Sequence, residues 1–235
     1  MPYSLKLKDK KEIARDTMAF YFEKPRGFAF AAGQSMRLSC PGVSENKTFS
    51  ISSAPHEEEL VFAMRMRDSL FKKALANLKP GAVVEADGPF GERFVLHRDT
   101  ILPAVFIAGG IGITPLLSML SHIAENDIPR TVTLFYSNRR KDDIAFLGTL
   151  KFLVARDKCF KMVLTLTKPA ESERQLWSDE TGYINKDMLE RHLNDIITPM
   201  YYISGPPEMV VGMSHTLEKA GVHLERILTK KFSGY

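Results

Sequence analysis

The stretch Phe106-Ile107-Ala108-Gly109-Gly110-Ile111-Gly112-Ile113-Thr114-Pro115 carries an apolar β-strand into a glycine-rich turn and, at Pro115, into a helix. Glycines let the backbone turn tightly and let a bulky anion approach main-chain N–H groups, while a helix N-terminus adds partial positive charge. Proline suits the first helical turn, where a backbone N–H would have no intrahelical partner. A strand, turn and helix of this kind cradles a nucleotide phosphate, although a buried crossover without a ligand uses similar residues. Residues 101–120 are uncharged, yet Pro103, Gly109, Gly110, Gly112 and Pro115 divide them into strand, turn and helix, which argues against a membrane span.

Downstream of this turn, apolar strands alternate with longer helical stretches, the pattern of βαβ units around a parallel sheet. The predicted strands are Ala104 to Ala108, Val132 to Tyr136, Lys161 to Leu166, Tyr201 to Ser204 and Arg226 to Leu228. The predicted helices are Pro115 to Glu125, Asp142 to Ala155, Lys186 to Leu193 and Pro207 to Ala220, and the polar stretch from Lys168 to Glu180 reads as a loop. Upstream, short alternating segments (Tyr3 to Leu7, Met18 to Phe22, Ser35 to Leu38, Thr48 to Ile51, Leu60 to Met64) point to an antiparallel β-barrel. A helical segment from Leu70 to Leu78, ended by Pro80-Gly81, is placed to cap it. The change of period lies within His97 to Pro103, so two domains are expected, 1–100 and 101–235.

The composition is that of an ordinary globular chain: 235 residues, 44% hydrophobic and 26% charged. Cys40 and Cys159 cannot supply the four thiolates of an iron–sulfur cluster or a Cys-rich zinc site, and the six histidines show no metal-ligand spacing, so no metal is expected. The N-terminal Lys6, Lys8, Lys10 and Lys11 read as a solvated edge, and without an apolar run beside them they form no secretory signal; a cytoplasmic location is expected. The formal charge of +4 suits polyanionic cofactors or an acidic protein partner. Nucleic-acid binding would need a dense basic stripe, and here the cations are interleaved with nearly as many acids.

In the first half, Lys47-Thr48-Phe49-Ser50-Ile51-Ser52-Ser53 puts a cation, an aromatic ring and hydroxyls on one strand. Lys47 and Phe49, at alternate positions, share a face, so one can meet a phosphate while the other lies against a flat ring. This segment resembles the flavin-binding RxYS motif of the ferredoxin–NADP reductase family. Further segments match that family in order: Asp68-Ser69 before a helix, Gly88-Pro89-Phe90-Gly91, Gly109 to Pro115, Ser204-Gly205-Pro206-Pro207-Glu208-Met209, and the terminal Phe232-Ser233-Gly234-Tyr235. The resemblance covers essentially the whole chain and implies a flavin-binding antiparallel barrel followed by a nicotinamide-nucleotide domain.

Carried over by position, the resemblance implies that Lys47, Thr48, Phe49, Ser50, Ile51 and Ser52 line the flavin, with Phe49 against the ring or its ribityl chain and Ser50 near the flavin N5. Ser69 and its helix would face a flavin phosphate. Gly109, Gly110, Gly112 and Thr114 would hold the nicotinamide nucleotide, Gly205, Pro206 and Met209 would close its other side, and Tyr235 would stack on the isoalloxazine. Ser50, Ser204 and Tyr235 would be the residues nearest the chemistry. The chain departs from the family at three positions. Lys47 replaces the arginine and cannot form its planar fork to a phosphate, a role open to Arg65 and Arg67. Met66 replaces the glycine three residues before Ser69, and Ser204 replaces the cysteine of the CGPP motif. FAD is expected, with FMN as the alternative. In Ser137-Asn138-Arg139-Arg140 after the second strand, hydroxyl and guanidinium groups, with Lys168 as a second cation, offer contacts to a 2′-phosphate, which leans the choice to NADPH over NADH; the Asn138-Arg139 pair can instead stack on adenine or salt-bridge to Asp142 and Asp143.

The expected activity is hydride transfer from NAD(P)H to bound flavin, with electrons passing on to a ferredoxin-like protein, a free flavin, a ferric chelate or a quinone. Two alternatives remain: a reductase component of a larger oxygenase or electron-transfer system, and a non-catalytic nucleotide-sensing module that has kept the fold.

Overall fold

The computed structural model describes residues 2–97 and 102–232. Its first half holds six antiparallel strands: β1 (Tyr3–Ala14), β2 (Thr17–Glu23), β3 (Ser35–Ser39), β4 (Asn46–Ser50), β5 (Glu59–Arg65) and β6 (Val83–Phe90), in the order β4-β3-β6-β1-β2-β5. The two edges meet where Ile51 bridges Phe62 and the Ser52 N–H donates to the Val61 carbonyl at 2.8 Å, so the sheet closes as a barrel and its edges are no longer open for pairing. Alternation along the strands fills the interior with Leu5, Leu7, Phe20, Phe22, Met36, Leu38 and Phe62. Helix α1 (Leu70–Asn77) plugs it with Phe71 and Leu75, both fully buried.

Two features of this half differ from the sequence expectation. Strand β6 escapes a pattern reading because Asp87, Gly88 and Pro89 interrupt its alternation, and β1 continues well past Leu7 through charged residues. Those residues explain the second difference. Lys6, Lys8 and Lys11 are solvated and paired with Glu23, Glu59 and Asp9, but β1 is an interior strand of the sheet and not an edge. Lys10 differs: its ammonium donates to the carbonyls of Ala76 and Leu78, satisfying the C-terminal end of α1.

The second half is a parallel sheet of β7 (Ala104–Gly109), β8 (Val132–Asn138), β9 (Phe160–Leu166), β10 (Glu180–Thr181), β11 (Met200–Gly205) and β12 (Ile227–Lys231), in the order β10-β9-β8-β7-β11-β12. Helices α2 (Ile113–Glu125), α3 (Leu147–Arg156), α4 (Glu171–Leu176), α5 (Lys186–His192) and α6 (Pro207–Lys219) accompany it. The central strands are buried on both faces, which is why they read as continuous apolar runs. Phe106, Leu134, Tyr136 and Tyr202 pack with α2 on one face, and Val105, Ile107, Phe135 and Ile203 pack with α5 and α6 on the other. Because β8 to β10 lie on one side of β7 and β11 and β12 on the other, the order reverses between β7 and β11, and a crevice opens beyond their C-terminal ends.

The helix expected from Asp142 to Ala155 is broken. A single 3₁₀ turn spans Lys141–Asp143, and α3 begins only after Phe146, whose φ is +58°. The break follows from Asp143, whose carboxylate folds back to accept the Arg140 N–H at 3.1 Å. The polar stretch read as a loop contains α4, anchored by Glu173, whose carboxylate accepts the N–H groups of Ala170 and Lys141.

The two halves share apolar packing: Ala32, Phe94 and Leu96 belong to the same cluster as Phe106 and Met119. Ser118 donates to the Ser53 carbonyl at 2.7 Å and the Arg15 N–H to the Asp142 carbonyl at 2.8 Å, so the junction is also pinned by hydrogen bonds. The expected division between residues 100 and 101 falls outside the described residues.

Candidate active site

At the reversal point β7 ends in Gly109, a 3₁₀ turn covers Gly110–Gly112, and α2 starts at Ile113 with Pro115 in its first turn. Beside it β11 ends in Gly205, and Pro206-Pro207 starts α6. Gly110 has φ +49°, a conformation that favours glycine. Gly109, Gly112 and Gly205 answer to a requirement invisible in the sequence, the approach of the chain to itself. A Cβ on Gly112 would lie 2.3 Å from the Ser204 carbonyl oxygen, and one on Gly109 would lie 2.5 Å from the Met209 sulfur. Met209 thus packs on the glycine turn from the α6 side.

These strand ends floor a cleft of about 820 Å³, walled by Gly110, Asn138, Arg139 and Met209 and, from the barrel, by Arg65 and Arg67. A cavity of that size suits a nucleotide. Ser204 is fully buried and its hydroxyl has no hydrogen-bond partner among the described residues, while the amide of buried Asn138 lies against the Tyr136 hydroxyl. Buried polar groups without partners are costly, although Ser204 itself does not line the cleft. Thr114 is also fully buried, but its hydroxyl donates to the Ile111 carbonyl at 3.1 Å, which closes the turn.

On the barrel side, Lys47 and Phe49 are both half-buried and share the face of β4 that turns toward the barrel core, as their alternation predicts. The Phe49 ring lies 5.8 Å from that of Phe71. Thr48 is exposed on the other face, and Ser50, buried there, stands 3.4 Å from the hydroxyl of Ser35 on β3. Ile51 and Ser52 are buried at the barrel seam, and the Ser52 hydroxyl has no hydrogen-bond partner among the described residues.

Ser69 is the N-cap of α1, its hydroxyl accepting the Lys72 N–H at 3.4 Å. Cations gather at this helix start. Burial, and then the charges of Lys47 and Arg67, hold the Lys72 ammonium below the usual lysine range. Lys47 is paired with Glu45 at 3.1 Å, at a partly exposed position. A helix N-terminus with three cations beside it fits a phosphate. Lys72 was not among the expected site residues, though its place three residues after a capping serine is the signal that could have found it. Met66, where a glycine was the family residue, hydrogen-bonds through its N–H to the Asp16 carbonyl at 2.6 Å.

Asp143 forms its ion pairs with the barrel and not with the side chains of the Arg139-Arg140 loop. Its buried carboxylate receives Arg15 at 2.6 Å and Arg65 at 3.6 Å, both from the barrel, and neither Arg139 nor Arg140 forms an ion pair among the described residues. Arg65 is therefore part of a junction between halves as well as of the cleft wall, while Arg139 and Lys168 are exposed beside the cleft. Tyr235 lies outside the described residues.

An antiparallel barrel packed against a parallel α/β sheet with a cleft at its reversal point is a two-domain architecture found in other proteins. Residues 106–215 match the family model of the oxidoreductase NAD-binding domain. The chain is 28% identical over 214 residues to the reductase component of propane 2-monooxygenase from Mycolicibacterium goodii, covering 89% of this chain but 61% of that protein's length. The crystal structure of the Amycolatopsis cytochrome P450 reductase GcoB superposes with a TM-score of 0.85 at 24% identity, over 98% of this chain and 70% of that one. A ferredoxin NADP+ reductase from Neisseria gonorrhoeae with bound FAD and NADP superposes with a TM-score of 0.80 at 22% identity, over 100% of this chain and 99% of that one. The chain shares the two-domain fold of that reductase, and the match to the oxidoreductase NAD-binding domain falls in its second half. No helix among the described residues is long and apolar enough to cross a membrane.

Proposed function

We propose that this chain is an FAD-dependent oxidoreductase that takes hydride from NADPH or NADH and passes electrons to a separate acceptor. The observation that carries the reading is the cleft at the β7/β11 reversal, walled from the barrel by Arg65 and Arg67, with Lys230 of β12 reaching the Ser35 hydroxyl that stands beside Ser50 at the same junction of the two halves. Bound FAD supplies the capacity to accept hydride and release electrons. The chain supplies position. Phe49 offers a flat apolar face, the Ser50 hydroxyl orients the reactive edge, and the start of α1 with Lys47, Arg67 and Lys72 holds phosphate. The turn from Gly109 to Gly112 and the start of α2 hold the nucleotide phosphates, Asn138 and Arg139 its adenosine side, and Ser204 offers its unpaired hydroxyl beside Pro206 and Met209 at the nicotinamide end. Fixing two reactants face to face converts a bimolecular step into an effectively unimolecular one, an effect of about 7–11 kcal/mol at its best. The domain division follows: residues 1–100 for flavin and 101–235 for the nicotinamide nucleotide.

The reading as a reductase component of a multi-component system is favoured by the similarity to the propane 2-monooxygenase reductase component. A net charge of +4 supports an acidic electron carrier as the partner, and the cytoplasm, where NAD(P)H is at hand, as the place of action. Ferric chelates, free flavins and quinones are the acceptors to compare with it.

The test is an anaerobic absorbance titration of the purified chain supplied with FAD, and separately FMN, before and after NADPH or NADH. A bound-flavin band that bleaches on addition of nucleotide is expected, with Arg139 and Lys168 favouring NADPH. A chain that takes up neither flavin would overturn the reading in favour of a nucleotide-sensing module.

A further inference from the structure

Lys230, on the last strand of the nucleotide half, reaches across the junction into the barrel. Its ammonium donates to the Gly33 carbonyl at 2.8 Å and to the Ser35 hydroxyl at 2.7 Å, and it lies 5.6 Å from the centre of the Phe94 ring. The Ser35 hydroxyl in turn stands 3.4 Å from that of Ser50. Lys230 forms no ion pair among the described residues, and burial pushes its pKa down to about 8. A desolvated cation without a counter-ion costs stability, and an apolar side chain could fill the same space. Its retention at this spot makes sense when the compensating negative charge arrives with a ligand.

We infer that Lys230 sets the charge at the Ser35–Ser50 corner, so that a ring seated against Ser50 is favoured in the form that carries added electrons. The inference rests on the flavin site proposed above. Hydride brings two electrons and one proton, so its acceptance leaves one net negative charge on the ring while the donor departs as oxidised nicotinamide. Lys230 gives up no proton in this step; it acts as a fixed charge and, through Ser35, as a positioning residue for Ser50.

The experiment is a redox titration at pH 7 of the full chain loaded with FAD, for wild type, Lys230→Met and Lys230→Arg, with the affinity for oxidised FAD measured in parallel. In Lys230→Met, reduced FAD should be held at least about ten-fold less tightly relative to oxidised FAD, a drop of about 30 mV in the two-electron potential. Lys230→Arg, which keeps the charge, should stay within about two-fold of wild type by the same measure. Should Lys230→Met fail to fold, Lys230→Gln keeps a donor for Gly33 without the charge and is expected to show the same drop. An unchanged potential in an uncharged variant that still binds FAD overturns this inference alone, since a merely structural lysine would move stability and leave the potential in place. A wild-type chain that binds no FAD overturns both this inference and the functional reading beneath it.

Discussion

In the proposed reading, the two halves meet an anionic ligand in opposite ways. The nucleotide half works with its backbone: two strand ends, two helix starts and glycines set side by side at the reversal of a parallel sheet. The barrel works with side chains: Lys47, Arg67 and Lys72 converge on the start of the short helix α1, and Ser35 and Ser50 face each other across two strands. A parallel sheet brings all its C-terminal loops to one edge, so one compact motif builds much of the site. Antiparallel strands send successive turns to opposite ends, so the barrel must collect its site from residues scattered along the chain.

The comparison is broken most severely at Gly112. If this glycine serves the close approach of backbone to backbone, Gly112→Ala forces a methyl onto the Ser204 carbonyl and should cost about 3 kcal/mol, read from urea denaturation. A fully stable variant would return the glycine to the ligand alone. Ser50→Ala sharpens the contrast on the barrel side. We expect flavin to remain bound while the rate of its reduction by NAD(P)H, followed by stopped-flow absorbance, falls about ten-fold, the effect of a lost orienting group. An unchanged rate would remove Ser50 from its proposed role. Lys47→Arg has the smallest expected effect. A planar fork in place of a point charge should tighten FAD by about five-fold, near 1 kcal/mol, in an equilibrium titration. Equal or weaker binding would put the phosphate nearer Arg67 and Lys72.

Legibility of the site divided along the same line. The strand, glycine turn and helix from Phe106 to Pro115 stand where the pattern predicts, because strand and helix periods are local properties of the backbone. Alternation on β4 likewise put Lys47 and Phe49 on one face. The failures have tertiary causes. The predicted helix from Asp142 starts late, at Leu147, because the Asp143 carboxylate is taken up by the Arg140 N–H and by Arg15 and Arg65, residues far away in sequence. Lys10 looked like a solvated lysine until the end of α1 was found beneath it. Local pattern cannot register a partner that only folding delivers.

The sequence by itself therefore determined the two-part architecture, the reversal-point turn and an ordered set of motifs that resemble those of the ferredoxin–NADP reductase family, since each is written in contiguous residues. The tertiary structure alone decided that Asp143 ties the halves together, that Lys72 joins the cationic corner, and that Lys230 lies against Ser35, 195 positions away along the chain. Charges and hydroxyls act over a few ångströms, and only the folded path of the backbone determines which of them come that close.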